Sequence, residues 1–287
     1  MKLGLCLSGG GVKGVAHIGV IKALEEENIK PDCISGTSSG SIVAALYSMG
    51  YSPKQMINLF KLYAKDISEI DFFTIVKIIF GLIFTGKIYV EGLNNGNKLG
   101  KLVQEYAEKK NIKLIKDINM PIVIPSVNLC DGSIYLFSSL TNNRKYSDEV
   151  KVVNNIEIGK AVQASSSYPG IFCPTNVLGK KLVDGGVRQN TPWKELKEIG
   201  ADKIISVSFS EDKKAKSKVN ILDCITGSMG IMMHELYNYE IEGIDYLLNI
   251  RTEDIGLLET SKIEELYNIG YKKAKKEMNK IKEYLKK

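Results

Sequence analysis

The sequence predicts an α/β fold, a mainly parallel sheet covered by helices, and three observations carry the prediction. Short apolar runs of strand length alternate with stretches of helical periodicity from the first residues onward. The first two runs each end in a glycine-rich turn that opens directly into a helix. A third pair of runs is separated by Cys130-Asp131-Gly132, a D-G turn that makes a hairpin and so a partly mixed sheet.

The elements follow in order. Leu3 to Leu7 is a buried strand, Val12 to Glu27 a helix and Asp32 to Ser35 a second short strand. Ser39 to Met49 is helical and stops at Gly50; Pro53 starts another helix that runs to about Ala64, and Lys98 to Lys109 is an amphipathic one. Ile122 to Leu129 and Ser133 to Ser138 form the hairpin. Strands are expected at Lys181 to Val183, Lys203 to Phe209 and Tyr246 to Ile250, with helices at Ile156 to Ala164, at Leu222 to Tyr239 and from Ser261 towards the end. Residues 211–218 read as a polar, lysine-rich loop. No repeat and no long linker divides the chain, so residues 1–287 are expected to form one domain.

Composition narrows the function. An apolar share of 44% supports an extended core. The net charge of +6 comes wholly from the stretch after residue 270, where eight lysines meet only Glu277 and Glu283. No basic groove with interleaved aromatics appears, which argues against a nucleic-acid partner. The five cysteines, at 6, 33, 130, 173 and 224, include no C-x-x-C pair and read as reduced, buried residues. The apolar run before the first glycines is shorter than the 7 to 15 or so residues of a signal peptide. The longest apolar segment, residues 72–84, falls short of the roughly 20 needed to span a bilayer. A cytoplasmic protein, peripheral at most on the inner membrane surface, is expected.

Two glycine-rich turns carry the chemistry. Gly36-Thr37-Ser38-Ser39-Gly40 fits G-x-S-x-G between a strand and a helix, where the glycines leave room for a strained turn that lifts Ser38 beside a helix N-terminus. Ser8-Gly9-Gly10-Gly11-Val12-Lys13-Gly14 admits three readings. A dinucleotide site lacks the acidic residue at the end of the second strand. A P-loop fails because Lys13 precedes the last glycine. An oxyanion hole, with the Gly10 and Gly11 N–H groups aimed at a tetrahedral intermediate, is favoured because both turns converge on one sheet edge.

A serine nucleophile needs a base. His17 and His234 are the only histidines. His17 reads as a packing residue, whereas His234 follows Ser38 and Asp184 in the order of an α/β-hydrolase triad and remains a rival. Asp184 ends an apolar run and opens Asp184-Gly185-Gly186. With an ordinary pKa near 3.9 it would act as a base only if desolvated.

These blocks resemble the patatin-like phospholipases: G-G-G-V-K-G from Gly9, G-T-S-S-G at Ser38, D-G-G at Asp184, and Ala164 to Phe172 as an A-S-x-x-x-P-x-x-F stretch. The resemblance is strongest over residues 3–209, with 210–287 as a C-terminal extension. It implies a three-layer α/β/α fold, Ser38 as nucleophile, Asp184 as base, and Gly9, Gly10 and Gly11 as the oxyanion hole. Gly36, Gly40, Gly14 and Lys13 would shape the elbow and loop. No cofactor and no metal is implied, and the expected partner is an acyl lipid or phospholipid. The expected function is therefore a serine acyl hydrolase, set against a phosphate-binding regulatory module and a His234-dependent esterase. Residues 72–84 are expected to cap the acyl channel at the membrane interface, with the basic tail adding electrostatic attraction.

Overall fold

A computed structural model of the chain describes residues 1–67, 84, 90–140, 149–210, 221–252, 255, 256 and 258–287. The expected cap over residues 72–84 lies outside them save for Phe84, which is helical and exposed. The loop expected at 211–218 also lies outside.

The first half runs β1 (Leu3–Leu7), α1 (Val15–Glu26), β2 (Cys33–Gly36), α2 (Ser39–Ser48), α3 (Pro53–Ile67), β3 (Gly92–Asn94) and α4 (Asn97–Glu108). Gly11–Gly14 forms a 3₁₀ turn before α1, where the sequence alone suggests an unbroken helix. Pro53 opens α3 at the position where a missing N–H costs nothing, and Gln55 Oε1 accepts the Ser52 N–H at 3.0 Å. Then follow β4 (Ile122–Asn128), β5 (Ile134–Ser138), β6 (Val150–Val153), α5 (Ile158–Ser165), β7 (Gly170–Phe172), β8 (Thr175–Val177) and β9 (Lys180–Asp184). The chain ends with α6 (Lys194–Glu198), β10 (Lys203–Ser210), α7 (Ile221–Glu240), β11 (Tyr246–Arg251) and α8 (Ile263–Lys286).

The main sheet has the order β11-β10-β1-β2-β4-β5-β6, parallel from β11 to β4, with the expected antiparallel hairpin at β4 and β5. Side chains on successive strand residues face opposite ways. Leu5, Leu7 and Ile34 accordingly join the larger core with α1, α2 and α8, whereas Cys6 and Cys33 join a smaller one with Trp193, Leu196 and Ile199. The sheet thus has apolar packing on both faces.

β9 does what the sequence pattern does not foretell. β2 pairs with the start of β4, at Ile122 and Val123, and then parts from it, while Gly36 stays paired with Leu7 of β1. β9 pairs antiparallel with the rest of β4, from Asn128 back to Ser126, where it ends opposite Asp184. β5 takes the other edge of β4, so β2 and β9 approach each other end to end along one edge.

α8 packs on α1 at backbone distance. A Cβ on Gly270 would lie 2.0 Å from the Ala16 carbonyl oxygen, and one on Gly19 would lie 2.1 Å from that of Tyr267. Lys275 and Lys282 pair with Glu27, just beyond the end of α1, Lys273 and Lys280 with Glu277, and Lys287 with Glu283. Much of the tail's positive charge therefore faces carboxylates and does not stand as a free basic surface. Among the cysteines, Cys6 and Cys33 are buried as expected, but Cys130 and Cys224 are exposed and Cys173 is half-buried; all five thiols are free. No helix among the described residues is long and apolar enough to cross a membrane.

Candidate active site

Parallel register brings the two glycine turns together: Leu7 of β1 lies opposite Gly36 of β2, and the Thr37 N–H donates to the Leu7 carbonyl at 3.1 Å. Each motif glycine has a steric reason. A Cβ at Gly36 would meet the Gly40 carbonyl oxygen at 2.3 Å, and one at Gly40 would meet that of Leu7 at 2.4 Å.

Ser38 stands between them at φ 52° and ψ −123°, a backbone conformation that costs a non-glycine residue on the order of 1–3 kcal/mol. The surroundings hold it there. Its N–H donates to Ser165 Oγ at 3.1 Å, its carbonyl accepts from Ser41 Oγ at 2.6 Å, and the Thr37 hydroxyl donates to the Gln189 carbonyl at 2.9 Å.

Asp184 ends β9 beside this elbow and is buried, at 2% exposure. Its N–H donates to the Ser167 carbonyl at 3.0 Å, and its Oδ1 accepts from the Gly186 N–H at 2.8 Å. Burial pushes the carboxyl up to about 6 from the ordinary 3.8; the nearby Ser38 hydroxyl and the Gly186 N–H act in the other direction. Oδ2 has no hydrogen-bond partner, so the influence of the Ser38 hydroxyl is exerted without a bond of ordinary geometry to that oxygen. Gly185 allows this approach: a Cβ there would lie 2.5 Å from the Pro125 carbonyl oxygen and 3.0 Å from Thr37 Cγ2.

The glycine loop lies against the same elbow, with a Cβ at Gly9 falling 3.1 Å from Ser38 Cβ. The Gly9 N–H is taken by Asn190 Oδ1 at 3.1 Å. It is thereby withdrawn from the three expected oxyanion donors, leaving Gly10 and Gly11. Gly11 has φ 60°, and Gly10 leaves no room for a Cβ, which would meet the Phe209 ring at 2.6 Å. Lys13 is buried beneath the loop, and a Cβ at Gly14 would collide with Ser39 Cβ at 2.5 Å.

Neither histidine is placed to act as the base. His17 is buried and donates from Nε2 to the Ser8 carbonyl at 2.8 Å, while its ring meets Phe209 at 4.6 Å between centroids. Burial lowers its pKa to about 4, so it is neutral at physiological pH and braces the loop. His234 is exposed on α7, and its ring contact is with Tyr237. Among the described residues no three His, Cys, Asp or Glu side chains gather as a metal site.

The sequence points to Ser38, Asp184 and the glycines but misses three supports. Ser165 and Ser167, in the A-S-x-x-x-P stretch at the end of α5, tie down Ser38 and Asp184 respectively. Asn190, six residues beyond Asp184, links the loops. The sequence marks the A-S-x-x-x-P-x-x-F stretch around Ser165 and Ser167 but not the partners of those residues, and nothing in it marks Asn190.

The family model described as patatin-like phospholipase matches residues 5–197. Lysophospholipase NTE1 of Candida albicans is 25% identical over 299 residues, covering 95% of this chain and 20% of that protein. Its Aspergillus fumigatus counterpart is 26% identical over 309 residues, covering 98% of this chain and 18% of its own length. The chain thus spans about a fifth of the length of these curated relatives. The crystal structure of VipD from Legionella pneumophila is similar in fold, with a TM-score of 0.52 at 15% identity, covering 97% of this chain and 67% of that one.

Proposed function

Because the chain belongs to the patatin-like phospholipase family, we propose that it hydrolyses carboxylic esters of phospholipids or lysophospholipids with Ser38 as nucleophile and Asp184 as base. The observation that carries the reading is the meeting of a strained serine with a buried carboxylate whose second oxygen lacks a partner. Ser38 Oγ attacks the ester carbonyl carbon as its proton passes to Asp184 Oδ2. The carbonyl oxygen gathers negative charge and accepts from the Gly10 and Gly11 N–H groups, beside the N-terminus of α2. Collapse breaks the ester bond, and the departing alcohol leaves with the proton from Asp184. Water, deprotonated by Asp184, then releases the fatty acid from the acyl-serine. A lysophospholipid substrate is supported by the names of the NTE1 relatives.

A fluorophosphonate probe is expected to modify Ser38, located by mass spectrometry, in a protein that releases fatty acid from lysophosphatidylcholine. Absence of both labelling and release would overturn the reading. His234→Ala is expected to retain wild-type turnover, because the residue is exposed on α7 with its ring against Tyr237; loss of turnover there would restore the histidine triad. Gly10→Ala is expected to lower kcat by about 10²-fold with a smaller change in KM, since oxyanion donors act mainly in the transition state. An unchanged kcat would remove the loop from the mechanism.

A further inference from the structure

Beyond residue 197, where the family match ends, α7 brings an acid back to the site. Glu240, its last residue, accepts the Asn190 N–H on Oε1 at 2.7 Å and the Thr191 N–H on Oε2 at 3.1 Å. Its own carbonyl accepts from Trp193 Nε1 at 2.7 Å. The clamped residue, Asn190, touches both halves of the site. Its Oδ1 and backbone carbonyl lie 3.1 and 3.4 Å from the Gly9 N–H, and a Cβ on Gly186 would fall 3.0 Å from Oδ1.

We infer that Glu240 is a positioning residue for ester hydrolysis, fixing Asn190 so that the glycine loop holds its N–H groups over Ser38. The inference rests on the proposed hydrolase reading and adds to it a part supplied by the C-terminal region. Two successive N–H donors need two acceptor oxygens, which only the ionised carboxyl offers without competition from its own proton. Burial pushes Glu240 up to about 7, opposed by the two N–H bonds. The charged and titratable groups facing it are Glu195, itself raised by burial, and Lys194 from α6, Tyr237 one turn earlier on α7, and Cys6 of β1. Protonation of Glu240 near neutrality releases one of the N–H groups and loosens the loop, in addition to the loss of base as Asp184 protonates.

The test compares the full chain with Glu240→Gln and Asn190→Ala, using p-nitrophenyl butyrate turnover from pH 5 to 9 and hydrogen exchange of residues 5–14. Glu240→Gln is expected to lower kcat roughly ten- to a hundredfold with KM little changed, as small misplacements of catalytic groups do. It should also lose the limb of the pH profile near 7 and keep the one near 6. Asn190→Ala should show the same kcat loss with a weakened limb near 7, since Glu240 acts on the loop through Asn190, and both variants should exchange faster at Gly9. Wild-type kcat, profile and exchange in Glu240→Gln would overturn the inference. If Glu240→Gln does not fold, wild-type kcat and Gly9 exchange in Asn190→Ala overturn it instead. Should the wild-type protein neither turn over the ester nor react with fluorophosphonate, the hydrolase reading falls and with it the catalytic role assigned to Glu240, whatever the Gly9 exchange shows.

Discussion

Asp184→Asn is expected to lower ester hydrolysis by about 10³-fold or more and, at the same time, to make the protein more stable above neutral pH. The loss follows from removing the base, since a nucleophile and its base fail as a unit. The gain follows from linkage. The folded carboxyl titrates at about 6, above its ordinary 3.8, so between those values the native state binds more protons than the unfolded one and stability falls as pH rises. Above pH 6 the full cost applies, on the order of 3 kcal/mol for a shift of about two units. Well below 3.8, by about pH 3, the carboxyl is neutral in both states and the cost vanishes. Asparagine carries no charge to desolvate and keeps an oxygen for the Gly186 N–H. Urea denaturation of the two proteins should therefore show a small advantage for the variant at pH 4 and a much larger one at pH 8. The wild-type kcat/KM should also climb through about pH 6. A variant that gains nothing between pH 4 and pH 8 would mean that Asp184 is not held against its hydration.

Ser38→Ala is expected to be the more damaging change for turnover, by roughly 10⁴-fold or more, while leaving the fold intact. The bonds that set the elbow come from the Ser38 backbone: its N–H to Ser165 and its carbonyl to Ser41. Alanine retains them, so thermal melting should move little. The hydroxyl's influence on Asp184 disappears, and the carboxyl should titrate higher in the variant than in the wild type. The double variant should be no slower than Ser38→Ala alone. Appreciable turnover in Ser38→Ala, or additive losses in the double variant, would show that the two side chains do not work together.

The legible parts of this site are those whose constraint is steric and local. Gly9, Gly36, Gly40 and Gly185 each occupy a place where another atom stands within 2.6 Å of a would-be Cβ, and glycine is the residue that records such contacts in a sequence. The parallel core was legible for a similar reason, because a strand such as β1 is a continuous apolar run. What the sequence hides depends on register between distant strands. Nothing in Lys180–Asp184 says that it will run antiparallel along the far half of β4, and that pairing is what turns an ordinary D-G-G turn into a neighbour of Ser38. β7 and β8 were missed because each has three residues, too few for alternation to register. Helical spacing reveals the tail's lysines but not Glu27 beyond the end of α1, which receives two of them.

The contact of α8 with α1 also bears on synthesis. The pairing of Lys275 with Glu27 spans 248 residues, so the helix that follows the glycine loop meets α8 only after all the residues between them have been synthesised. Closing so long a loop is slow compared with forming either helix. A nascent chain therefore carries the Ser38 elbow long before α1 is packed against α8, so the support of the glycine turn is completed as a late step of folding.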